Sequence, residues 1–507
     1  MHLKFYFFLV LLIPWLKGGN ARDLVFYIAL SCIVICLIVS LANEIKESKL
    51  NILRTSPIYV LIILVISIAN PILDAEKINT DIVVLDETEE NVLLKSIFDD
   101  LELIDNEELY NYIILNIKNE ISYKSKIISA KLSDKLEYLN FLKSKIYNPY
   151  IPSVSHINIS LLTEIIIIFV AMLAPIILIA NVRSDKVYRW ISLFILINGF
   201  LLSQLGIAQK FGILDFGKYP ILGIWEVNDP RYYFSTFSYK NHWSAFCLLC
   251  VFHGIAFVGG KLQSKRSYNI RTLILCSTMV IISIFTLFII DSRSALLMLL
   301  IYIFLLVFIY SRGFLNYIYI TLSILILSVF SVGLFKTSDV VKRSIGQFND
   351  LENGKFSFRM LLWKDITGQI ESKTFWGYGI NSYKTVNPIF QSTETVSSRY
   401  VVTENAHREF TPIIQNAHSD LFQYTSEMGF IFLCLILFPM FFIILREFLF
   451  SKNYYFRLIS AGCLVYIGYS CVDLPNKSFA NLLLFSLTFG FLLGYRKLSL
   501  NRSSVVN

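Results

Sequence analysis

The polar residues best suited to chemistry are a histidine, His418, and three side chains that follow it at helical spacing. Asp420, Gln423 and Glu427 occupy positions i, i+3 and i+7, so a helix that begins near residue 420 carries all three on one face. His418 is predicted at the N-terminus of that helix or just before it, where the helix dipole favours the neutral imidazole that a general base requires. The same helix end attracts anions such as phosphate. The segment therefore predicts a site where a histidine accepts a proton and an anion binds.

Two arginines are placed where they could bind an anion. Arg359 belongs to the segment Ser357–Trp363, which predicts a short amphipathic helix, and the later Gly377-Tyr378-Gly379 predicts a tight turn. Arg293 lies beside Asp291 in a short turn between two apolar runs. A guanidinium group suits phosphate and stays charged in every environment. For Arg293 the sequence leaves two roles open, an ion pair with Asp291 and the binding of an anion.

A third polar cluster, Lys240, Asn241 and His242, precedes an apolar run that begins at Trp243. One role for this cluster is an interfacial belt, in which the lysine extends towards water and aromatic rings lie among the lipid headgroups. The other role is a direct contact to phosphate or sugar. Ionisable groups at the membrane boundary are costly and often functional, so both roles stay open.

The elements that must position these residues are membrane-spanning helices. The 507 residues are 55% hydrophobic and 16% charged, whereas a soluble chain carries about a quarter charged residues. The apolar residues form long runs that approach the roughly 20 residues a helix needs to cross a bilayer. We therefore predict an all-α polytopic membrane protein. About twelve spans are predicted, at residues 4–17, 24–42, 57–73, 160–181, 190–208, 242–260, 272–291, 294–311, 314–335, 426–446, 457–472 and 477–495.

Lysine and arginine recur in every second connection between the predicted spans, and such connections are cytoplasmic. Both termini are therefore predicted to be cytoplasmic, and the longer segments 74–159, 209–240 and 336–417 to lie outside. The basic connections account for the net charge of +8 without a nucleic-acid partner. The predicted domains are N-terminal transmembrane helices (1–73), an extracytoplasmic helical insertion (74–159), a transmembrane core (160–335), a large helical outer loop before the tenth span (336–425), and C-terminal transmembrane helices with a cytoplasmic tail (426–507).

All eight cysteines fall in apolar runs, so no disulfide framework is predicted. Cys247 and Cys250 have the spacing of a zinc or redox pair, but that chemistry needs thiolates, which an apolar helix disfavours. We interpret both as small apolar residues. No acidic pair suited to a metal stands out near the polar segments.

Four segments resemble, in order, the motifs of the O-antigen ligase and polymerase superfamily, integral membrane glycosyltransferases that use lipid-linked sugars. The resemblance covers about residues 190–450. Ser294 stands where the family usually has Gly, and Ser419 where it frequently has Asn. The four segments are Lys240-Asn241-His242 at the start of a span, the turn Asp291-Ser292-Arg293, the stretch Arg359…Trp363…Gly377-Tyr378-Gly379, and the segment His418…Leu421…Gln423…Glu427-Met428-Gly429.

The resemblance implies a reaction on the periplasmic face of the bacterial inner membrane. The donor would be a glycan on undecaprenyl pyrophosphate, and the acceptor a hydroxyl group of the lipid A core, another lipid, a protein or a glycan. Transfer would be a displacement at the anomeric carbon with pyrophosphate as the leaving group. The implied partners are donor, acceptor and membrane lipids, and no nucleic acid.

The resemblance also implies roles for individual residues. His418 would be the general base, and Arg293 and Arg359 would hold the pyrophosphate, so neither a divalent metal nor another cofactor would be needed. Four further residues are expected to contact the substrate or to support the site from the interior: Lys240, Asn241, Gln423 and Glu427.

Two activities within the superfamily stay open. A ligase transfers the glycan to its final acceptor, whereas a polymerase transfers it to another lipid-linked repeat. A glycan flippase or small-molecule transporter is a third possibility from a different class, and it would be expected to show inverted repeats and broken helices near the membrane midplane. The polar residues of this chain cluster at one predicted face instead, which favours a transferase.

Overall fold

The computed structural model describes residues 2–46, 167, 170–172, 174–179, 182, 184–227, 232–262, 269–290, 292–310, 358–380, 382–390, 392, 395, 401–402, 408–409, 414 and 416–504. Several predicted features lie outside these residues: the insertion 74–159, the spans 57–73 and 314–335, most of the span 160–181, and Asp291.

Helices make up almost all of the described chain. In order, they are α1 (His2–Leu12), α2 (Leu24–Lys46), α3 (Asp185–Lys210), α4 (Lys240–Leu262), α5 (Ile270–Ile289), α6 (Arg293–Tyr310), α7 (Phe358–Ser372), α8 (Tyr383–Phe390), α9 (Asp420–Phe432), α10 (Phe438–Phe450), α11 (Tyr454–Val472) and α12 (Phe479–Ser504). Shorter helical pieces are the 3₁₀ turns Ile13–Trp15, Lys17–Gly19 and Pro475–Lys477 and the π-helical segment Leu433–Leu437. The described strands β1 (Val401–Val402) and β2 (Arg408–Glu409) pair antiparallel.

The chain divides into two compact units. The first, named the membrane unit here, comprises Met1–Ile62, Ile166–Gly346 and Ile436–Asn507, and the second, named the loop unit, comprises Ile63–Ile165 and Gln347–Leu435. Within the described residues, the membrane unit contains α1–α6 and α10–α12, and the loop unit contains α7–α9 with the two strands.

Five of the described helical segments are long and apolar enough to cross a membrane: α3, α4, α5, Leu433–Phe450 and α11. Shorter apolar helices of the described chain lie at Lys4–Trp15, Leu24–Ser40, Arg293–Ile309 and Phe479–Tyr495. The prediction of a mostly helical membrane protein is therefore confirmed. The count of about twelve spans, the side of the termini and the outer location of the loop 336–425 stay predictions.

Helix α4 packs against α3, α5 and α11 in the membrane unit. Small residues allow such helices to approach closely. Gly199 of α3 faces Cys250 of α4, and a Cβ added at Gly199 would lie 2.6 Å from the Cβ of Cys250. Cys247 and Cys250 are both buried free thiols, which fits their interpretation as small packing residues.

A buried polar chain joins four helices of the membrane unit. The His253 ring of α4 lies between Ser192 of α3, with 2.7 Å from Nδ1 to Oγ, and Thr488 of α12, with 2.9 Å from Nε2 to Oγ1. Ser192 Oγ is also 2.5 Å from the hydroxyl of Tyr455 in α11. Because both ring nitrogens of His253 have hydrogen-bond partners, we interpret this histidine as a structural link between the helices.

The loop unit has its own small core. Leu362 and Ile366 of α7 pack with Tyr383 of α8 and with Ile414 and Ala417, which precede α9. Leu362 and Ile366 are four residues apart and both are fully buried, so α7 presents one apolar face to this core. The predicted amphipathic helix that carries Arg359 is thereby confirmed.

Two glycines join the turn after α7 to the end of α9. Gly377 and Gly429 have φ values of 68° and 67°, in a region that glycine adopts far more readily than other residues. Gly429 also has ψ of −172° and interrupts the regular helix. The two segments are hydrogen-bonded through their backbones, since the Gly379 N–H donates to the Glu427 carbonyl at 2.7 Å.

Neither glycine has room for a side chain. A Cβ at Gly377 would lie 2.5 Å from the carbonyl carbon of Glu427, and a Cβ at Gly429 would collide with the carbonyl group of Phe375. The tight turn predicted at Gly377 is confirmed, and it docks onto the end of α9. The helix has a break at Gly429, inside the predicted tenth span 426–446, and the segment of the described chain long and apolar enough to span a membrane is Leu433–Phe450. The start of the tenth span stays a prediction.

Replacing Gly429 with alanine should destabilise the protein, because the methyl group would meet the facing backbone and φ would be strained. We expect a loss of about 3 kcal/mol or more, the size of a large single-site effect, seen as a lower melting temperature of the purified protein in detergent. The matched control is Gly368→Ala in α7, where the new Cβ would meet only Phe390, at 3.6 Å. Alanine is favoured over glycine within a helix by roughly 1 kcal/mol, so this variant should melt no lower than wild type. Equal melting temperatures for the two variants would contradict the glycine contact.

Candidate active site

Helix α9 begins with a capped first turn, and His418 lies immediately before the cap. Ser419 is the N-cap residue, and its hydroxyl accepts a hydrogen bond from the Phe422 N–H at 3.3 Å. Asparagine caps helices equally well, which accounts for serine at a position where the family frequently has Asn. His418 has φ of 53°, a left-handed conformation in which histidine and asparagine are enriched among non-glycine residues. The predicted position of His418, just before the helix, is confirmed.

The peptide that precedes His418 is held from both sides. The Ala417 N–H donates to Gln423 Oε1 at 3.2 Å, and the Ala417 carbonyl accepts from the Trp363 indole N–H at 3.1 Å. Gln423 Nε2 in turn donates to Glu427 Oε1 at 2.9 Å. A residue of α7 and a residue of α9 therefore fix the backbone from which His418 projects.

The three side chains of the predicted polar stripe of α9 are buried. Asp420, Gln423 and Glu427 are each 1% exposed. The bonds of Gln423 to Ala417 and to Glu427 occupy both ends of its amide group. The observed contacts of Gln423 and Glu427 are thus those of groups that hold the backbone in place from the interior.

His418 is neutral at ordinary pH. Burial, and to a smaller extent the positive charge of Arg359, lowers the pKa of its imidazole to about 4. Its Nδ1 atom is buried and has no hydrogen-bond partner within the described chain. A neutral imidazole with an unprotonated nitrogen can accept a proton, so this side chain meets the chemical requirement for a general base.

Arg359 and Trp363 are one turn apart on α7, so both side chains project from the same side of the helix. Trp363 holds the Ala417 carbonyl and also packs against Phe422 of α9, with 5.8 Å between ring centroids. Arg359 is partly buried and places its charge near His418. The Arg-x-x-x-Trp spacing therefore brings a cation and a backbone anchor to the same histidine.

A buried amide network that the sequence analysis missed connects α7, α8 and α9. Gln369 of α7 donates to Asn387 Oδ1 of α8 at 3.1 Å and accepts from the Ser426 hydroxyl of α9 at 3.0 Å. Gln369 continues the buried face of α7 that Leu362 and Ile366 form. A polar residue on the apolar face of an amphipathic helix was the signal that could have identified it.

The remaining predicted residues lie in the membrane unit. The Asn241 amide at the start of α4 donates to Asp473 Oδ2 at 2.8 Å and accepts from the Ser292 hydroxyl at 3.3 Å. Ser292 directly precedes Arg293, which is exposed at the start of α6. The Lys240 ammonium lies 5.9 Å from the centroid of the Tyr232 ring.

The structure thus groups the predicted residues by unit. Within the loop unit it brings together Arg359, His418, Gln423 and Glu427, and within the membrane unit it connects Asn241, through Ser292, to the turn that carries Arg293.

Asp473 is a further buried partner in the membrane unit that the sequence analysis missed. An acidic residue at the end of an apolar helix, before Leu474-Pro475, was the available signal.

These observations define a helical membrane protein with a neutral, partly buried histidine beside an arginine. Residues 278–467 match the family model described as O-antigen ligase, and this match confirms the resemblance to the O-antigen ligase and polymerase superfamily. It includes Arg293, Arg359, His418 and Glu427, and it begins after Lys240. No curated protein matches the chain. The family match supports an O-antigen ligase or polymerase type of function, with a lipid-linked glycan and an acceptor in the membrane.

Replacing Trp363 with phenylalanine should lower glycan transfer, because the ring packing on Phe422 is kept while the N–H that holds Ala417 is lost. We expect a decrease of roughly tenfold in kcat, the effect of one hydrogen bond that leaves a carbonyl group unsatisfied. The matched control is Trp15→Phe, which removes the indole bond to Asn198 Oδ1 at 2.8 Å in the membrane unit. If both variants transfer glycan as wild type does, the Trp363 anchor does not support the site.

Proposed function

We propose that this chain is an O-antigen ligase-like membrane glycosyltransferase. It moves a glycan from undecaprenyl pyrophosphate to an acceptor hydroxyl, of the lipid A core or a similar molecule, on the periplasmic face of the bacterial inner membrane. The observation that carries the proposal is the neutral imidazole of His418 next to the positive charge of Arg359. A displacement at an anomeric carbon needs a base for the incoming hydroxyl and a cation for the leaving pyrophosphate.

In the proposed reaction, His418 removes the proton of the acceptor hydroxyl as its oxygen attacks the anomeric carbon. A new glycosidic C–O bond forms, and the bond from the anomeric carbon to the pyrophosphate oxygen breaks. The bonding electron pair leaves with the carrier pyrophosphate, and the proton stays on His418 until it passes to water. The backbone contacts of Ala417 hold the imidazole in place during this step.

Arg359 has two effects in this proposal. In the free protein its charge helps to keep His418 unprotonated. When the pyrophosphate binds, its negative charge offsets that of the arginine, so the pKa of His418 rises and the imidazole becomes a stronger base. The donor therefore strengthens the base that its own reaction requires.

Arg293 is proposed as a second ligand of the pyrophosphate, which would make a divalent metal unnecessary. Its role rests on the family motif that it matches, because Arg293 and Arg359 belong to different units. Within the described residues, no group of three or more histidine, cysteine or acidic side chains could hold a metal ion. Metal independence is part of the proposal.

Four other residues complete the proposed site. Lys240 keeps its predicted role as a phosphate or sugar contact. Gln423 and Glu427 are assigned to the support of the His418 backbone, because their side chains are bonded to Ala417 and to each other. The amide of Asn241 is fully engaged by neighbouring side chains, which favours a supporting role over a direct substrate contact.

A polymerase of the same superfamily is the alternative, because the family match is compatible with both activities. A strain that lacks the protein distinguishes them. Long carrier-linked chains that never reach the final acceptor indicate a ligase, whereas transfer of single repeats only indicates a polymerase.

Replacing His418 with asparagine tests the proposed base. Asparagine tolerates a positive φ, so the variant should keep the fold, but its amide cannot accept the proton. We expect transfer by the purified protein with a lipid-linked donor to fall at least about 100-fold, the usual contribution of a general base.

The melting temperature of the His418→Asn protein is the control for folding. Arg359→Lys serves as a second variant, since it keeps the positive charge and loses the planar fork that suits phosphate. It should weaken donor binding and keep measurable transfer. Near-normal transfer by His418→Asn would rule out the assignment of His418 as the base.

A further inference from the structure

The amide of Asn241 is fully engaged by side chains of the membrane unit. Its Nδ2 donates to Asp473 Oδ2 at 2.8 Å and to the Tyr239 hydroxyl at 3.0 Å, and its Oδ1 accepts from the Ser292 hydroxyl at 3.3 Å. Both N–H groups and the carbonyl oxygen thus have partners, and the residue is buried. These contacts leave little of the amide for a phosphate or sugar.

Asp473 occupies a costly position. Its carboxylate is fully buried, which is unfavourable for a charge unless hydrogen bonds compensate. It is also the C-cap residue of α11, where the negative end of the helix dipole opposes an anion. Its Oδ1 accepts from the Leu474 N–H at 2.9 Å, and its Oδ2 accepts from Asn241. A carboxylate at such a site is expected to perform a task that a neutral side chain would not.

The task of Asp473 follows from which groups donate and which accept hydrogen bonds around Asn241. A carboxylate only accepts hydrogen bonds, so Asp473 requires that the NH₂ group of Asn241 face it. The carbonyl end of the same amide then faces Ser292 and accepts its hydroxyl proton. The backbone carbonyl of Ser292 accepts from the Leu296 N–H at 3.1 Å and so begins α6. The orientation of one amide therefore connects the end of α11 to the first turn of α6.

We propose that Asp473 is a positioning residue that acts through Asn241 and Ser292 to hold Arg293 at the start of α6. The inference rests on the proposed function, in which Arg293 binds the donor pyrophosphate. It replaces the predicted substrate contact of Asn241 with a positioning role.

The first test exchanges the donor and the acceptor in the hydrogen bond between Asn241 and residue 473. Asp473→Asn leaves one acceptor oxygen for two donors, the Leu474 N–H and the Asn241 NH₂ group, so one of these bonds is lost. Where the oxygen stays with Leu474, the NH₂ group of residue 473 faces that of Asn241, whose amide must rotate and lose Ser292. We expect the KM for the lipid-linked donor to rise about tenfold with a smaller change in kcat, as for the loss of one buried hydrogen bond. Adding Asn241→Asp should restore the KM, because the new carboxylate accepts from residue 473, Ser292 and Tyr239 and lies at the N-terminus of α4, where the dipole favours it.

The second test asks whether the effect passes through Arg293. Arg293→Gln should itself raise the KM for the donor, and Asp473→Asn should add nothing to that variant, because residues that act as one unit are not additive. Ser292→Ala removes only the last link and leaves Asp473 bonded to Asn241, so it should raise the KM even if Asp473→Asn folds poorly. The control is Tyr466→Phe, which removes a bond to Asn476 Oδ1 in the same part of the unit and should leave the KM unchanged.

The outcomes separate the two proposals. A normal KM for Arg293→Gln would overturn the proposed role of Arg293 in donor binding. A raised KM for Arg293→Gln, combined with an additive effect of Asp473→Asn, would overturn the positioning role of Asp473 alone. The positioning role of Asp473 would also be overturned if the double variant Asp473→Asn/Asn241→Asp had a wild-type melting temperature and a KM as high as that of Asp473→Asn alone.

Discussion

The loop unit depends on the close contact between two backbone segments that meet at Gly377 and Gly429. Because neither position has space for a Cβ atom, the turn after α7 hydrogen-bonds directly to the end of α9. This contact ties the helix that carries Arg359 to the helix that follows His418. The Trp363 and Gln423 bonds to the Ala417 peptide, and the network of Gln369, then depend on the register that the glycines set.

The positive charge of Arg359 acts on His418 within this unit. The arginine helps to hold the histidine in its neutral form, and the histidine lies on a backbone that α7 itself anchors. A proposed donor with a pyrophosphate group would bind the arginine and at the same time raise the basicity of the imidazole. In the proposed function the same pair of residues therefore contributes both to donor binding, with Arg293 as a second ligand, and to proton removal.

Helical periodicity was enough to predict the α7 helix around Arg359, the buried stripe of α9 and the position of His418, because these features are local. The contact between Gly377 and Gly429 was not predictable, since it pairs backbones that are far apart in the sequence, and neither was the helix break that it produces at Gly429. Asp473 and Gln369 were missed because each is a single polar residue in an apolar context. The neutral state of His418 was predicted from the helix dipole, whereas the structure attributes it to burial and Arg359.

The pH dependence of transfer tests the central claim, that a neutral, partly buried His418 is the base. The measurement is kcat/KM of the purified protein with a lipid-linked donor, which reports the pKa of the essential base in the free enzyme. Since the base must be unprotonated, activity falls as the pH drops through its pKa. The account predicts an acidic limb near pH 4. A limb near pH 6.5, the ordinary value for histidine, or a limb that persists unchanged in His418→Asn, would contradict it.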